Sequence, residues 1–174
     1  MSLFIIFGLP GAGKTYVGNV LHEHFNIHVH DGDDELPDRM NKAIQKSRLV
    51  TDDMRDEFFE NIIRKLKHLT STYPAVALTQ TCIKERYRKH VLKEFPYAVF
   101  LLVQTNTDTR EKRLSKRTAY PLDAEYARRM VANFGTGLNN NVIGFLLDSF
   151  PVNGFSTEKS DMAAQWNMLF HETI

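Results

Sequence analysis

Short apolar runs alternate with longer amphipathic stretches along this 174-residue sequence. The first run, at 3–7, is continuous, which is typical of a strand buried on both faces of a sheet. Four later segments predict further strands at 27–30, 75–79, 97–103 and 141–147. In the stretches between them, apolar residues recur at helical spacing. This spacing predicts helices at 17–25, 37–46, 51–69, 83–91, 108–114 and 127–134, and a last one from Ser160.

Strands that alternate with helices predict an α/β fold in which a five-stranded parallel sheet carries helices on both faces. Right-handed crossovers place the carboxyl ends of all the strands at one edge, where ligands bind. We therefore expect the polar segments that follow the strands to converge there. These segments are 8–15, Asp31 with Asp33, 79–84, 104–107 and Asp148.

The segment Gly8–Thr15 fits the phosphate-binding P-loop pattern G-x-x-x-x-G-K-[ST] at every fixed position. Its glycines let the backbone turn tightly, so that successive N–H groups point at phosphate oxygens. The Lys14 charge can reach the outer phosphates, and the Thr15 hydroxyl is a hard oxygen ligand suited to Mg²⁺. The loop lies between a predicted strand and a predicted helix, which favours binding of a nucleoside triphosphate, ATP with Mg²⁺. The expected nucleotide contacts are Gly8, Gly11, Ala12, Gly13, Lys14, Thr15 and Tyr16.

Two carboxylates, Asp31 and Asp33, flank a glycine at the end of the second predicted strand. In such a pair one carboxylate can face the metal ion, while the other accepts a hydrogen bond from the hydroxyl of the phosphoryl acceptor. The alternative is a solvated acidic turn, because Asp and Gly are ordinary turn residues. His28 and His30 precede this turn, and we expect them to pack or lie at the surface rather than bind zinc, which needs three or four ligands.

The helix predicted at 108–114 is rich in basic residues. Its start is placed at Asp108, which with Glu111 resembles a capping box. Arg113 and Arg117 are four residues apart and share a helix face, from which they can clamp phosphates. Their basic neighbours are expected on a solvated face. These neighbours are Arg110, Lys112 and Lys116.

A second basic segment follows the third predicted strand, and here a contact with an acidic substrate competes with plain surface charge. It contains Lys84, Arg86, Arg88 and Lys89. Cys82 is expected to pack as a small apolar side chain. Phe58 and Phe59 belong to the apolar stripe of the helix at 51–69 and are expected in the core.

Composition limits the class of protein. Apolar residues make up 43% and charged residues 25% of the chain, as in an ordinary single globular domain. The net charge of +1 does not favour nucleic acid or a membrane as partner. A single cysteine suits a reducing compartment, and the first apolar run is too short for a signal peptide or a membrane span. We therefore expect a cytoplasmic protein that acts on a small molecule.

Beyond the P-loop, several motifs resemble those of the small P-loop kinases of the nucleoside-monophosphate-kinase-like group, and within it the gluconate kinases. The acidic pair is followed by Pro37, and 52–55 is similar to an Asp-rich stretch that ends in Arg. The K-x-x-Y-R pattern recurs at 84–88, and the R-L-x-x-R pattern of a lid recurs at 113–117. The resemblance covers about residues 3 to 135.

This resemblance implies a single kinase domain over 1–174, with an acceptor-binding helical insert at 36–60 and a lid at 113–125. It implies phosphoryl transfer from ATP to a small hydroxylated metabolite, such as a sugar acid, and allows a homodimer. Lys14, Asp31, Asp33 and Arg117 would be catalytic, with Thr15 and Asp31 at the metal. Asp33, Arg55, Lys84 and Arg88 would bind the acceptor, and Arg113 and Arg117 would cover the triphosphate.

Three other functions stay open at this stage. A nucleoside or nucleotide kinase needs an aromatic residue and an arginine pair in the insert, which Phe58, Phe59, Arg48 and Arg55 allow. A nucleotide-binding module without turnover has no need for the acidic pair or the lid arginines. An enzyme that acts on nucleic acid is the least favoured, because the net charge is close to neutral.

Overall fold

The computed structural model describes residues 1–46, 48–82 and 84–116, and the backbone of 142–146. The strands are β1 (Ser2–Phe7), β2 (His28–Asp31), β3 (Ala75–Gln80), β4 (Val99–Gln104) and β5 (Val142–Leu146). The helices are α1 (Lys14–Phe25), α2 (Asp38–Gln45), α3 (Asp52–Thr72), α4 (Glu85–Glu94) and α5 (Thr107–Ser115), with a short 3₁₀ helix at Gly32–Glu35. The helices predicted at 127–134 and from Ser160, and Asp148, lie outside the described residues.

The strands form one parallel sheet in the order β2-β3-β1-β4-β5. The strands β1 to β4 are described with their side chains, and β5 is described by its backbone pairing with β4. Helices lie between successive strands from β1 to β4, as parallel crossovers require. The predicted parallel α/β architecture is confirmed, and the predictions for β1 to β4 agree with the structure to within two residues.

The central strand β1 shows why its sequence is continuously apolar. Leu3, Ile5 and Phe7 pack into a core with residues of α2, α3 and α4. Phe4 and Ile6 point to the opposite face, into a second core with residues of α1. All five side chains are at most 7% exposed. Since successive residues of a strand point to opposite faces, a strand covered on both faces has no place for a polar residue.

The helix α3 carries much of the larger core. Phe58 and Phe59 are buried in it, as the apolar stripe predicted, and the Phe59 ring stacks on the ring of Tyr87 in α4 at 4.1 Å. On the outer side, Arg39 of α2 pairs with Asp53 of α3 at 2.8 Å. Exposed ion pairs of this kind contribute little stability, so the apolar stripe holds α3 in place.

Two predictions for α5 are wrong. The helix begins at Thr107 rather than Asp108, because the Asn106 side chain accepts a hydrogen bond from the Thr109 N–H at 2.7 Å and caps the helix. Arg110 is buried, with 7% of its surface exposed, instead of lying on a solvated face. The physical reason is that this face of α5 lies against the P-loop: a Cβ built on Gly11 would come within 2.9 Å of the Arg110 Cγ.

None of the helices in the described ranges is both long enough and apolar enough to cross a membrane.

Candidate active site

The carboxyl ends of three neighbouring strands lie level at one edge of the sheet. Asp31 of β2 is in register with Thr79 of β3, and Gln80 of β3 is in register with Phe7 of β1. The P-loop follows β1 and the acidic turn follows β2. Because β3 lies between these two strands, its end separates the P-loop from the acidic turn by one strand only.

The P-loop has the backbone conformation that its glycines allow. At Gly8 the φ angle is +154°, and a Cβ there would lie 2.4 Å from the Val103 carbonyl oxygen of β4. Gly13, with φ of +105°, immediately precedes α1, and no side chain makes a capping hydrogen bond at this helix terminus. The first N–H groups of a helix lack intrahelical partners, so the start of α1 can donate to a phosphate.

Lys14 lies over the loop, and its Nζ donates to the carbonyl oxygens of Gly8 at 3.1 Å and Leu9 at 3.2 Å. Thr15, the predicted ligand of Mg²⁺, is exposed at the surface. Tyr16 is half-buried and packs against the core on the α1 side of the sheet. The loop thus offers one cation and one hydroxyl beside its backbone N–H groups.

The acidic turn contacts the end of β3. An Asp31 Oδ1 accepts a hydrogen bond from the Asp33 N–H at 3.1 Å, which caps the 3₁₀ helix. Gly32 between them is buried, and a Cβ there would lie 2.7 Å from the Gln80 Nε2. That same Nε2 donates to the Asp33 Oδ1 at 3.3 Å. Gln80 therefore orients the Asp33 carboxylate from the neighbouring strand.

Asp31 differs electrostatically from an ordinary surface carboxylate. Partial desolvation of its carboxyl raises the pKa of Asp31, and the negative charges of Asp33 and Asp34 raise it further. The hydrogen bond from the Asp33 N–H and the positive charge of Lys14 act in the opposite direction. A cation placed near this carboxyl group would stabilise its ionised form.

The two histidines of β2 are used in packing. His28 stacks on the Tyr73 ring at 3.8 Å, and the His30 Nε2 lies 3.0 Å from the Glu35 Oε1. Across the described ranges, no group of three or more His, Cys, Asp or Glu side chains is arranged to hold a metal ion.

Three cations converge on one carboxylate at the start of α3, and we call this group the Asp52 cluster. The Asp52 Oδ1 lies 2.5 Å from the Lys84 Nζ, 3.1 Å from the Arg55 Nη1 and 3.7 Å from the Arg86 Nη2. The Lys84 hydrogen bond is the largest cause that lowers the pKa of Asp52. Arg55 and Lys84, predicted separately as acceptor ligands, are therefore brought together, although they are distant in the chain.

The Asp52 cluster is anchored to the core through Tyr87. The Tyr87 hydroxyl donates to the Asp56 Oδ1 at 2.9 Å, and Arg86 contacts the same oxygen at 2.7 Å. The Tyr87 ring itself is stacked on Phe59. The cluster's charges are thus carried by α3 and α4, two helices whose relative position the core determines.

Arg88 takes a different position from the other predicted acceptor ligands. It is buried, its Nη1 donates to the Cys82 carbonyl oxygen at 3.0 Å, and its guanidinium lies 5.4 Å from the centre of the Phe7 ring. Cys82 is buried as predicted, and burial raises the pKa of its thiol to about 12. Arg88 lies beside the end of β1 and holds the segment after β3 in place.

Of the two predicted lid arginines, Arg113 is described. Its Nη1 donates to the carbonyl oxygens of Gly11 and Ala12, both at 3.4 Å, so α5 is fixed to the P-loop. Arg117, predicted as catalytic and phosphate-binding, lies outside the described residues, as does the rest of the predicted lid from that position onward.

Three residues near the predicted ligands were not singled out for the site by the sequence. Gln80 contacts Asp33, Asp52 pairs with Arg55, Lys84 and Arg86, and Arg110 lies buried beside the P-loop. A polar residue at the end of a buried strand is a signal that could have identified Gln80. The other two depend on contacts between distant segments, which no local pattern contains.

A parallel sheet with a P-loop after its central strand and an acidic turn one strand away defines a P-loop phosphotransferase. The sequence model of the shikimate kinase family matches residues 10–134, and the chain belongs to this family. It is an ATP-dependent kinase with a hydroxyl group as phosphoryl acceptor. A search of curated protein sequences finds no significant match.

Solved structures support the fold over nearly the whole chain. A sugar kinase from Janibacter sp. has a TM-score of 0.79 at 16% identity, with 97% of this chain and 93% of that chain covered. A gluconokinase from Sinorhizobium meliloti has a TM-score of 0.75 at 17% identity, covering 99% and 98%. A shikimate kinase from Acinetobacter baumannii in complex with shikimate has a TM-score of 0.63 at 16% identity, covering 100% and 96%.

Proposed function

We propose that this kinase phosphorylates a hydroxyl group of a small hydroxylated carboxylic acid, with a sugar acid such as gluconate as the first candidate. The observation that carries the proposal is the Asp52 cluster. Within the described ranges, its three cations, on Arg55, Lys84 and Arg86, contact two carboxylates, on Asp52 and Asp56. An excess of positive charge beside the end of β3 favours an anionic acceptor. The fold shared with a gluconokinase and with a shikimate complex is in keeping with this class.

The reaction transfers the γ-phosphoryl group in line. The acceptor oxygen forms a bond to the γ-phosphorus, the bond from that phosphorus to the β,γ-bridging oxygen breaks, and ADP leaves. The Asp33 carboxylate, oriented by Gln80, takes the proton of the hydroxyl. Lys14 neutralises the negative charge on the transferring group, and Arg113 contributes beside it with Arg117 of the predicted lid.

The donors at the P-loop fit a magnesium ion. The Thr15 hydroxyl and the Asp31 carboxylate are hard oxygen ligands of the kind that Mg²⁺ prefers. Partial desolvation, together with the negative charges of Asp33 and Asp34, raises the pKa of Asp31. Bound Mg²⁺ would neutralise phosphate charge and help to align the triphosphate. We assign Thr15 and Asp31 to it.

The proposal also assigns roles to two segments of the chain and to Arg88. Segment 36–60 binds the acceptor through Arg55, segment 113–125 closes over the triphosphate, and both belong to one domain over 1–174. Arg88 was predicted to bind the acceptor directly; because it is buried and bonded to the Cys82 carbonyl oxygen, we propose that it positions the segment leading to Lys84. A cytoplasmic location and a homodimer complete the proposal and have their own tests, by fractionation and by sedimentation.

The first experiment is a coupled ADP-release assay with Mg·ATP and a panel of acceptors. The panel contains gluconate, other sugar acids and shikimate, each matched with an uncharged polyol or sugar of similar size, together with nucleosides and nucleoside monophosphates. We expect turnover that depends on the acceptor carboxylate. Turnover on nucleotides alone would contradict the acceptor class while keeping the kinase.

Two variants locate the carboxylate. We expect Arg55→Met and Lys84→Met each to raise the KM of the acidic acceptor by about tenfold, the effect of losing one charge-assisted hydrogen bond, with the KM of ATP unchanged. Arg64→Met and Lys93→Met are matched controls, because Arg64 is an exposed cation on α3 and Lys93 is an exposed cation on α4. An unchanged acceptor KM in the first pair would move the carboxylate away from the Asp52 cluster.

A further inference from the structure

Arg110 is a buried cation whose hydrogen-bonding capacity is incompletely used. Only 7% of its surface is exposed, and its Nη1 is inaccessible to solvent and has no hydrogen-bond partner in the part of the chain that the structure describes. A guanidinium is charged at every physiological pH and has five N–H donors. A buried donor on a charged group without a partner is costly, so such groups in proteins are almost always paired.

The position of Arg110 indicates what its partner is. Its Cγ and its carbonyl oxygen lie within 2.9 and 3.0 Å of the place where a Cβ of Gly11 would be, so its side chain starts directly beside the P-loop. Arg113, one helical turn further, already donates to the loop carbonyl oxygens at Gly11 and Ala12. The anion that the fold brings to this loop is the triphosphate of the nucleotide.

We propose that Arg110 is a further nucleotide-binding residue, which donates from Nη1 to a phosphate oxygen of the bound nucleoside triphosphate. Phosphate fits a guanidinium better than a neutral acceptor does, because the hydrogen bond is charge-assisted and the buried charge is neutralised at the same time. In the proposed complex the guanidinium turns toward the loop, beside which the Arg110 stem already lies. The proposal concerns ATP and does not depend on the identity of the acceptor.

The proposal predicts that replacing Arg110 leaves the ligand-free protein equally or more stable and weakens its binding of ATP. In the Arg110→Met variant an apolar side chain of similar length replaces an unpaired buried charge. We expect the melting temperature without ligand to stay equal or rise. We expect the Kd of ATP to rise about tenfold, as for one lost charge-assisted hydrogen bond. Arg110→Lys keeps the charge and should recover part of the affinity. Lys112→Met, an exposed residue on the same helix, is the control.

Three ligands separate the phosphate contact from other roles, with thermal shift and calorimetry on the full chain as readouts. Arg110→Met should weaken ATP and inorganic tripolyphosphate alike and leave adenosine unaffected. Loss of ATP affinity with tripolyphosphate unchanged would contradict the phosphate contact. A lower melting temperature without ligand, with an unchanged Kd of ATP, would reduce Arg110 to a structural residue and overturn the proposal.

Discussion

Two regions at the carboxyl-end edge of the sheet are built from different kinds of contact. One is the P-loop side, and the other is the proposed acceptor side at the Asp52 cluster. Around the P-loop, Lys14 and Arg113 are held by backbone carbonyl oxygens of the loop itself. On the acceptor side, Arg55 and Lys84 are held by the side chain of Asp52, which is about half exposed. A contact to the backbone survives substitutions nearby, whereas a contact between exposed side chains changes with either partner. The contacts around the P-loop are thus fixed by the fold, whereas those on the proposed acceptor side can vary with the side chains present.

The sharpest test of the P-loop side is Lys14→Ala. In the proposed mechanism the lysine charge acts on the transferring phosphoryl group, and loss of such a donor lowers kcat by on the order of 10²-fold or more. We expect this loss with every acceptor and no change in fold. Steady-state ADP release measures it, with Lys93→Ala as an exposed lysine control on α4. Retained turnover would remove Lys14 from the mechanism and weaken the contrast between the two sides.

Asp33 is at the junction of the two sides, and Asp33→Asn separates them. The amide cannot take the acceptor proton, so we expect kcat to fall by roughly 10²-fold, as for loss of a general base. ATP should still stabilise the protein against heat by the same amount. Asp34→Asn is the control, since Asp34 is exposed in the same turn. Equal loss of turnover and of ATP binding would place Asp33 with the metal ion instead.

Asp52→Asn tests whether the acceptor side binds an anion. Removing this negative charge leaves Lys84 and Arg55 with less internal competition for an acidic acceptor. We expect the KM of a carboxylate-bearing acceptor to fall about threefold, a change that corresponds to the free energy of a surface ion pair. The KM of an uncharged analogue should stay constant. A higher KM would mean that Asp52 positions the cations rather than competing with the substrate.

The smallest effect that we expect is a change in thermal stability, in the Asp31→Asn variant. Desolvation raises the pKa of Asp31 in the folded chain above its value in the unfolded chain. The contribution of this group to stability is therefore fully present below the unfolded pKa and is lost as the pH rises through the folded pKa. Asparagine can still accept the hydrogen bond from the Asp33 N–H. We expect the variant to melt about 1–3 °C higher than the parent at pH 7. This difference should vanish near pH 3.5, as differential scanning fluorimetry would measure; a difference independent of pH would contradict this account.

The sequence predicted the parts of the molecule in which neighbouring residues act together. The apolar run of β1, the P-loop pattern and the acidic turn are each local, and each strand from β1 to β4 lies within two residues of its prediction. The predicted cap of α5 was wrong because Asn106, Thr107 and Asp108 all favour helix starts. The structure shows that the Asn106 side chain is the one that accepts the capping hydrogen bond, from the Thr109 N–H.

The site was harder to predict because it depends on contacts between segments. Arg110 belongs to a basic run that is typical of a solvated helix, and only the approach of α5 to Gly11 shows that it is buried. In the same way, Asp52 and Lys84 are each ordinary exposed charges in the sequence, and the packing of α4 against α3 brings them within 2.5 Å. Roles that depend on Arg117 stay predictions.

The reactivity of the Cys82 thiol can report whether the segment around it opens. The chain has one cysteine, which is buried directly after β3, in the segment that leads to Lys84. With the pKa of its thiol at about 12, only about one molecule in 10⁵ carries a thiolate at neutral pH, and thiol-reactive reagents attack the thiolate. Maleimide labelling of the unmodified protein should therefore be slow while this segment is closed. The labelling rate would report any opening of the segment around Cys82, and its change with a bound acceptor would test whether the proposed acceptor closes this segment.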